Sequence, residues 1–136
     1  GGGFAGLEVA EAMCDNREIT VIDPAKKLGN GIGIIDKNPT LNLLKKKGVK
    51  LMPLTELIEV TKKGAKVKNV ETGEEQLLEC DTVLTSVGVE ANTKLYDEVV
   101  KVWPHAKLIG DATTPAGKVY RTLEAVKGGY EASMAI

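Results

Sequence analysis

The sequence of 136 residues contains only two cysteines and one histidine. Cys14 and Cys80 are far apart and form neither a CxxC motif nor a set of metal ligands. We interpret Cys14, on the apolar face of a predicted helix, as a buried free thiol, and we expect a reducing, cytoplasmic location. His105 follows Pro104 in a predicted loop and is interpreted as a surface residue. The sequence therefore predicts neither a metal site nor a redox disulfide.

Long apolar runs are also absent. No run approaches the about 20 residues that a helix needs to span a bilayer, and no secretory signal is visible. The net charge of -1 gives no general attraction to nucleic acids or anionic membranes. We therefore expect no nucleic-acid partner and no membrane partner. Hydrophobic residues make up 43% and charged residues 27%, which is typical of a soluble protein with a buried core.

The most informative stretch is the first one, where Gly1, Gly3 and Gly6 fit the G-x-G-x-x-G dinucleotide fingerprint. The first glycine allows a tight turn, the second lets the backbone approach a pyrophosphate, and the third lets the following helix pack closely. That helix would begin at the phosphate, with its free N–H groups and positive dipole end facing the anion. The pattern alone is weak, because glycine runs also occur in flexible linkers.

The context of the glycines strengthens the dinucleotide interpretation. An amphipathic helical run follows at once, and a predicted strand over 18–22 ends at Asp23, where the partner of the ribose 2′-hydroxyl is expected. Lys26 and Lys27 could receive the 2′-phosphate of NADP, but Asp23 would repel it, so we expect NAD(H) to be preferred over NADP(H). The alternative is a glycine-rich leader before an amphipathic helix, with Asp23-Pro24 as an ordinary turn and two solvated lysines.

The start of the sequence conflicts with this fold in one respect. The fingerprint should follow a hydrophobic strand in the middle of the sheet, and here the sequence begins at the fingerprint. We therefore expect the first strand to be missing from the sequence given, and the chain to be a fragment. An unpaired sheet edge would make a homo-oligomer possible.

The stretch that follows predicts the rest of a nucleotide-binding fold. Asn38 and Pro39 are predicted to cap and start a helix that ends at Gly48. A strand is predicted over 49–52. Turn signals then separate short strand-like runs in an antiparallel meander, and a buried strand ends at Gly88. The runs of the meander cover 56–61, 66–70 and 76–79, and the buried strand covers 81–87.

The remaining residues predict a second group of elements. A short helix is predicted over 93–100, with 101–103 extended, and a short apolar strand over 106–110 stops at Gly110. The neighbouring Asp111 is placed to bind a ribityl or ribose hydroxyl, or it is a turn residue that caps the loop. A helix is predicted from Lys118 to the end. Its apolar seam comprises Val119, Leu123, Val126, Tyr130 and Met134.

The whole chain resembles the pyridine-nucleotide-binding part of two-dinucleotide flavoprotein reductases. Residues 1–10 (GGGFAGLEVA) are similar to the NAD(P)H fingerprint of that superfamily, and residues 82–88 (TVLTSVG) to the strand-to-glycine element that ends the NAD(P)H domain. Residues 108–112 (LIGDA) are similar to the second FAD motif, whose aspartate binds the ribityl–phosphate region. The resemblance implies an α/β, Rossmann-like three-layer fold with a parallel sheet and an antiparallel β-meander.

Two stretches near the end narrow the resemblance. Residues 119–125 (VYRTLEA) and 129–132 (GYEA) are similar to the C-terminal end of old yellow enzyme-like iron–sulfur flavoenzymes. This group contains 2,4-dienoyl-CoA reductase, enoate reductase and trimethylamine dehydrogenase. Its members have an N-terminal FMN barrel with a 4Fe–4S cluster, which implies that FMN and the cluster belong to a region absent from this sequence. The resemblance thus implies an NAD(P)H-binding domain over 1–88 and a C-terminal segment of an FAD-binding domain over 89–136.

The resemblance also implies a function. The chain would bind NADH, whose hydride passes to FAD for the reduction of an unsaturated acid or thioester in the intact enzyme, in which the FAD half-domain and FMN barrel are partners. No residue of the chain is expected to be catalytic, and the fragment itself is expected to be inactive. A non-catalytic adenine-nucleotide-binding module and a subunit completed by another chain remain alternatives. The expected cofactor-binding residues are Gly1, Gly3, Phe4, Ala5, Gly6, Glu8, Asp23, Gly88, Gly110 and Asp111.

Overall fold

The computed structural model describes residues 1–115 and 122–135. The chain divides into two compact units, Gly1–Ser86 and Val87–Ile136. The first unit contains α1 (Phe4–Met13), β1 (Thr20–Ile22), α2 (Ile34–Lys46), β2 (Lys50–Met52), β3 (Thr55–Thr61), β4 (Gly64–Asn69) and β5 (Glu75–Glu79). The second contains α3 (Lys94–Val102), a 3₁₀ helix (Gly110–Thr113) and α4 (Thr122–Ser133). The assignment of 1–88 to NAD(P)H and of 89–136 to FAD stays a prediction.

The core of the first unit lies between its two helices and a parallel sheet. β1 and β2 pair in parallel, with Val21 opposite Leu51. The connection between them contains α2, as a parallel pair requires a crossover. The buried side chains of this core come from both helices, β1 and the adjoining loops, and they are Leu7, Ala10, Val21, Leu28, Leu44 and Val49.

The second sheet of this unit is an antiparallel meander in the order β3-β4-β5. Val67 of its central strand is completely buried, and Ala65 is 7% exposed. The register of β3 shifts between Leu57 and Glu59, which indicates a β-bulge. A parallel sheet with covering helices and an antiparallel meander confirm the predicted α/β, Rossmann-like fold class.

The predicted start of α2 at Asn38 and Pro39 is wrong. The helix begins at Ile34 with Gly33 as its N-cap, and Pro39 lies inside it. The carbonyl of Gly33 accepts the N–H groups of Asp36 and Lys37 at 3.1 Å each, so the first turn forms before the proline is reached. Pro39 then removes one interior hydrogen bond. The predicted end is confirmed, because the helix stops before Gly48, whose φ is 84°.

The stretch 81–87 is not a strand, contrary to the prediction. Leu84 is 61% exposed and Val87 is 82% exposed, so the apolar composition does not lead to burial here. A strand requires a hydrogen-bonded neighbour, and among residues 1–115 and 122–135 no strand pairs with this stretch. The backbone of Ser86 nevertheless lies against Gly1.

Three predictions for the second unit also differ from the structure. Residues 106–110 form no strand, and a 3₁₀ helix begins at Gly110. Lys101 and Val102 belong to α3 and are not extended. The predicted last helix is described from Thr122, and the stretch from Lys118 to Arg121, with Val119 of the predicted seam, lies outside the described residues. The other seam residues are 65–74% exposed, and they are Leu123, Val126, Tyr130 and Met134.

The cysteines and the histidine agree in part with the predictions. Cys14 is a free thiol that is only partly buried and packs against the core of the first unit. Cys80 is free and exposed, and His105 is exposed. None of the helices in the described parts of the chain is long and apolar enough to cross a membrane.

Neighbouring leucines on α2 provide a test of the core. Leu44 is fully buried, whereas Leu43 is 38% exposed. We expect Leu44→Ala to lower the free energy of unfolding by about 2–5 kcal/mol, because it leaves a cavity in the core. Leu43→Ala should cost less than half as much. Urea denaturation monitored by circular dichroism measures both, and equal losses would contradict the assigned orientation of α2.

The meander contains an ion pair that gives a pH test. Lys66 Nζ lies 2.5 Å from Glu75 Oε2, and this hydrogen bond and charge lower the pKa of Glu75 and raise that of Lys66. A lowered carboxyl pKa stabilises the fold above the usual value of 4.5, and this stabilisation is lost as the pH falls through the lowered pKa.

We therefore expect Lys66→Met to lower the urea midpoint slightly at neutral pH, since exposed ion pairs contribute little. The difference from the unchanged chain should disappear once Glu75 is protonated in acid. Lys62→Met, at an exposed position in the adjoining turn, is the control and should show no such pH dependence. A pH-independent difference for Lys66→Met would show that lost packing, and not the charge, is responsible.

Candidate functional site

The glycine fingerprint forms a loop that is fixed on two sides. The nitrogen of Gly1 donates to the carbonyl of Ile22 at 2.9 Å, at the end of β1. On the other side, the carbonyl of Gly2 accepts the Gly29 N–H at 2.7 Å, and the Phe4 N–H donates to the Asn30 carbonyl at 3.1 Å. The loop is therefore held between the end of β1 and the segment before α2.

Side chains would not fit at two of the fingerprint positions. A Cβ at Gly6 would overlap the carbonyl oxygen of Gly1, and a Cβ at Gly1 would overlap the carbonyl oxygen of Ser86. At Gly3, a Cβ would lie 3.3 Å from the Asn30 carbonyl oxygen, which is a tight contact. The lack of side chains thus allows α1 to begin directly against the loop, with its first turn close to the end of β1.

The N-terminus of α1 is suited to bind an anion. Gly3 is its N-cap, no side chain caps it, and its first turn carries no acidic residue. Among the described residues, no acceptor is found for the N–H groups of Ala5 and Gly6. These N–H groups and the positive end of the helix dipole attract negative charge, as at other phosphate-binding helix termini. The side chains of Phe4 and Ala5 are exposed beside them.

Asp23 is held beside the fingerprint by both oxygens of its carboxylate. Oδ2 accepts the Gly2 N–H at 2.7 Å, and Oδ1 accepts the Ala25 N–H at 2.8 Å. Its backbone is fixed as well, because its N–H donates to the Met52 carbonyl and its carbonyl accepts the Thr55 N–H. The structure thus brings the Asp23 carboxylate to the fingerprint at Gly2. The sequence did not predict the direct bond to Gly2.

The other expected site residues are more dispersed. Glu8 is exposed on the second turn of α1. Gly88 belongs to the second unit and has a φ of 97°, a conformation that glycine adopts readily. Gly110 and Asp111 also belong to the second unit. The structure thus brings together the members of the first unit and leaves the position of the others relative to them as a prediction.

The Gly110–Asp111 turn has its own local geometry. Gly110 has a φ of 63° and its carbonyl accepts the Thr113 hydroxyl at 2.7 Å, while the Asp111 carbonyl accepts the Thr114 N–H at 3.0 Å. The Asp111 side chain is exposed, so its carboxylate is open to a ligand. Thr114 is 5% exposed, and its hydroxyl has no partner among the described residues. No sequence pattern indicated Thr114.

No cluster of metal-ligating side chains is found in the described ranges 1–115 and 122–135. They contain no group of three or more histidine, cysteine, aspartate or glutamate residues placed to hold a metal ion. At the sites described above, carboxylates can hydrogen-bond to hydroxyls and backbone N–H groups can hydrogen-bond to anions.

Comparison with known proteins identifies the family of the chain. The model of the pyridine nucleotide-disulphide oxidoreductase family matches residues 1–114, which include the fingerprint, the meander and the Gly110–Asp111 turn. The chain belongs to this family. Membership of this family implies FAD and a pyridine nucleotide as cofactors.

Individual relatives agree with this assignment. A metal reductase of Desulforamulus reducens is 29% identical over 84% of the chain and 16% of its own length. A cinnamate reductase of Clostridium sporogenes is 25% identical over 96% of the chain and 19% of its own length. Among solved structures, a 2-naphthoyl-CoA reductase complex matches 100% of the chain with a TM-score of 0.80 and 25% identity, over 20% of its own chain.

The chain thus spans about a fifth or less of these relatives. The first unit nevertheless fits a pyridine nucleotide on its own geometry. Its glycine loop leaves room for a close backbone approach, its helix terminus offers free N–H groups, and the acceptor for a hydroxyl is Asp23. The exposed Asp111 carboxylate is compatible with a flavin hydroxyl.

Substitution of Gly6 tests the close packing of the loop. Because a Cβ would overlap the Gly1 carbonyl, we expect Gly6→Ala to destabilise the chain by about 1–3 kcal/mol. Gly129→Ala is the control, since among the described residues no atom beyond its chain neighbours and its own helix backbone lies within 4 Å of the added Cβ, and alanine favours a helix interior. It should be neutral or stabilising by up to about 1 kcal/mol. Chemical denaturation compares the two, and a neutral Gly6→Ala would contradict the contact.

Proposed function

We propose that the chain is the NADH-binding module of a flavin-dependent oxidoreductase. The observation that carries the proposal is the bond between the Asp23 carboxylate and the N–H of Gly2. This bond places a hydroxyl acceptor next to a glycine loop and a helix N-terminus. An adenosine ribose and a pyrophosphate are adjacent in a dinucleotide, so the two features match adjacent parts of one ligand.

Different residues of the chain would bind different parts of the dinucleotide. The backbone at Gly1, Gly3 and Gly6 would follow the pyrophosphate, and the N–H groups of Ala5 and Gly6 would donate to it. Asp23 would accept a ribose hydroxyl, and as an anion it disfavours a 2′-phosphate, which supports NAD(H) over NADP(H). Phe4 and Glu8 are proposed to contact the nucleotide from the exposed side of α1.

The proposed role of the second unit is to help bind FAD. Asp111 would accept a hydroxyl of the ribityl–phosphate region, and Gly110 and Gly88 would allow close backbone approach. When bound, the two cofactors would supply the hydride-transfer chemistry, so the chain itself would need no acid or base. Catalysis is accordingly proposed for the complete enzyme, with the chain alone showing little or no reductase activity.

The reaction of the complete enzyme is proposed from the relatives. The names of the cinnamate reductase and the 2-naphthoyl-CoA reductase denote reduction of an unsaturated acid and of a thioester. We propose this substrate class for the enzyme to which the chain contributes, with FMN and a 4Fe–4S cluster in its N-terminal region. The proposed partners are the FMN barrel and the FAD half-domain, in a cytoplasmic enzyme that could form a homo-oligomer.

Calorimetric titration of the chain with NADH, NADPH and FAD separately tests the module. We expect NADH to bind more tightly than NADPH. Asp23→Asn should weaken NADH binding by about tenfold or more, because the amide offers one acceptor where the carboxylate offers two, and charged hydrogen bonds contribute about 1.5–3 kcal/mol. Asp36→Asn, at an exposed position of α2, is the matched control and should leave binding unchanged.

Two results would contradict the proposal. The first is no detectable binding of NADH to a chain whose circular dichroism shows it to be folded. The second is an equal loss of affinity in the Asp23 and Asp36 variants, which would indicate a general effect of charge in place of a ribose contact.

A further inference from the structure

An ion pair connects the loop after β1 with the meander. Lys26 Nζ lies 3.2 Å from Glu71 Oε1. Lys26 follows Asp23 by three residues, in the loop where the ribose is proposed to bind. Glu71 lies between β4 and β5, about 45 residues further along the chain. The pair is exposed, so its contribution to the free energy of unfolding is small. Its effect on a ligand bound at the loop is therefore more relevant than its effect on stability.

The turn that carries Glu71 is fixed by its own hydrogen bonds. The side-chain carbonyl of Asn69 accepts the N–H groups of Glu71 and Thr72 at 2.9 Å each. The Asn69 backbone carbonyl accepts the N–H of Gly73, whose φ of 75° closes the turn. The backbone at Glu71 therefore occupies a defined position, from which its side chain reaches Lys26.

Leu54 joins the two segments directly. Its N–H donates to the Ala25 carbonyl at 3.0 Å, and its carbonyl accepts the Val70 N–H at 2.9 Å. Lys26 and Glu71 are the next residues after these two partners, so the bridge sets them side by side. Leu54 has a positive φ of 56°. No other non-glycine residue in the described ranges has a positive φ. Such a conformation is costly and persists only where the surrounding contacts require it.

The charges at this position bear on the choice of nucleotide. The 2′-phosphate that distinguishes NADPH is an anion, and binding sites for it usually supply a cation beside the ribose. Lys26, three residues after Asp23, is a candidate for such a cation, but Glu71 neutralises its charge. We propose that Glu71 is a positioning residue that disfavours NADPH by holding Lys26 in the ion pair. This inference rests on the proposed NADH-binding function.

Nucleotide titrations of four proteins test the inference. These are the unchanged chain, Glu71→Gln, Glu74→Gln and the double variant Lys26→Gln/Glu71→Gln. We expect Glu71→Gln to lower the Kd for NADPH by about fivefold, as the loss of a surface charge interaction permits, and to leave the Kd for NADH within twofold. Glu74 carries an exposed charge in the same turn but is not the residue that pairs with Lys26. Glu74→Gln should therefore change neither Kd. The double variant should lose the gain in NADPH affinity.

The variants separate an effect of the Lys26–Glu71 ion pair from an effect of net charge. If Glu71→Gln leaves the ratio of NADPH affinity to NADH affinity within twofold of the original, the inference is overturned. In that case, NADH binding to the unchanged chain still supports the proposed function. An equal gain in Glu74→Gln, or a gain that persists in the double variant, also overturns it, because the effect would then be one of net charge. If no protein binds either nucleotide, both the function and the inference fail.

Discussion

The carboxylate of Asp23 is the contact on which the nucleotide site depends. It is half buried and accepts N–H groups from Gly2 in the fingerprint and Ala25 in its own loop. Its backbone also bonds to Met52 and Thr55, so one residue connects the fingerprint, the end of β1 and the start of the meander. A neutral side chain at this position would leave at least one N–H without an acceptor, and an unsatisfied buried donor is costly. In the proposed function, the same negative charge that orders the loop would also favour the ribose of NADH over the phosphorylated ribose of NADPH.

The close packing of glycine backbone is the second constraint. α1 begins where the Gly1 carbonyl touches Gly6, and this contact keeps the first turn of the helix near the end of β1. The positive end of the helix and the negative carboxylate thus lie on either side of the same loop. An anion with a neighbouring hydroxyl matches this arrangement, whereas a simple phosphate would use only half of it. Separation of the two charges by the loop supports the proposed binding of a nucleotide at this site.

The features that the sequence predicted correctly are those with local causes. The fingerprint glycines, the helix after them and the meander with Gly64 and Gly73 at its turns depend on neighbouring residues, and they are present. The predicted strands over 81–87 and 106–110 depend on a partner strand elsewhere, and apolar composition cannot show whether one exists. Pro39 misled the prediction for a similar reason, because the Gly33 carbonyl starts α2 earlier. The ion pair of Lys26 with Glu71 and the bond of Phe4 to Asn30 join distant segments, so no sequence pattern indicated them.

The two units differ in how much of their apolar surface they bury. The first unit has a contiguous core, which includes the completely buried Leu7 and Leu44. In the second unit, neither α3 nor the described part of α4 buries a residue, and Trp103 and Leu123 are 65% and 74% exposed. Hydrophobic burial is the main favourable term in folding, so the first unit has the greater internal support. The loop, helix terminus and carboxylate that suit NADH all belong to that unit. The proposed nucleotide site therefore lies in the better-packed unit, whereas the proposed flavin contact of Asp111 lies in a unit whose described residues show little packing of their own.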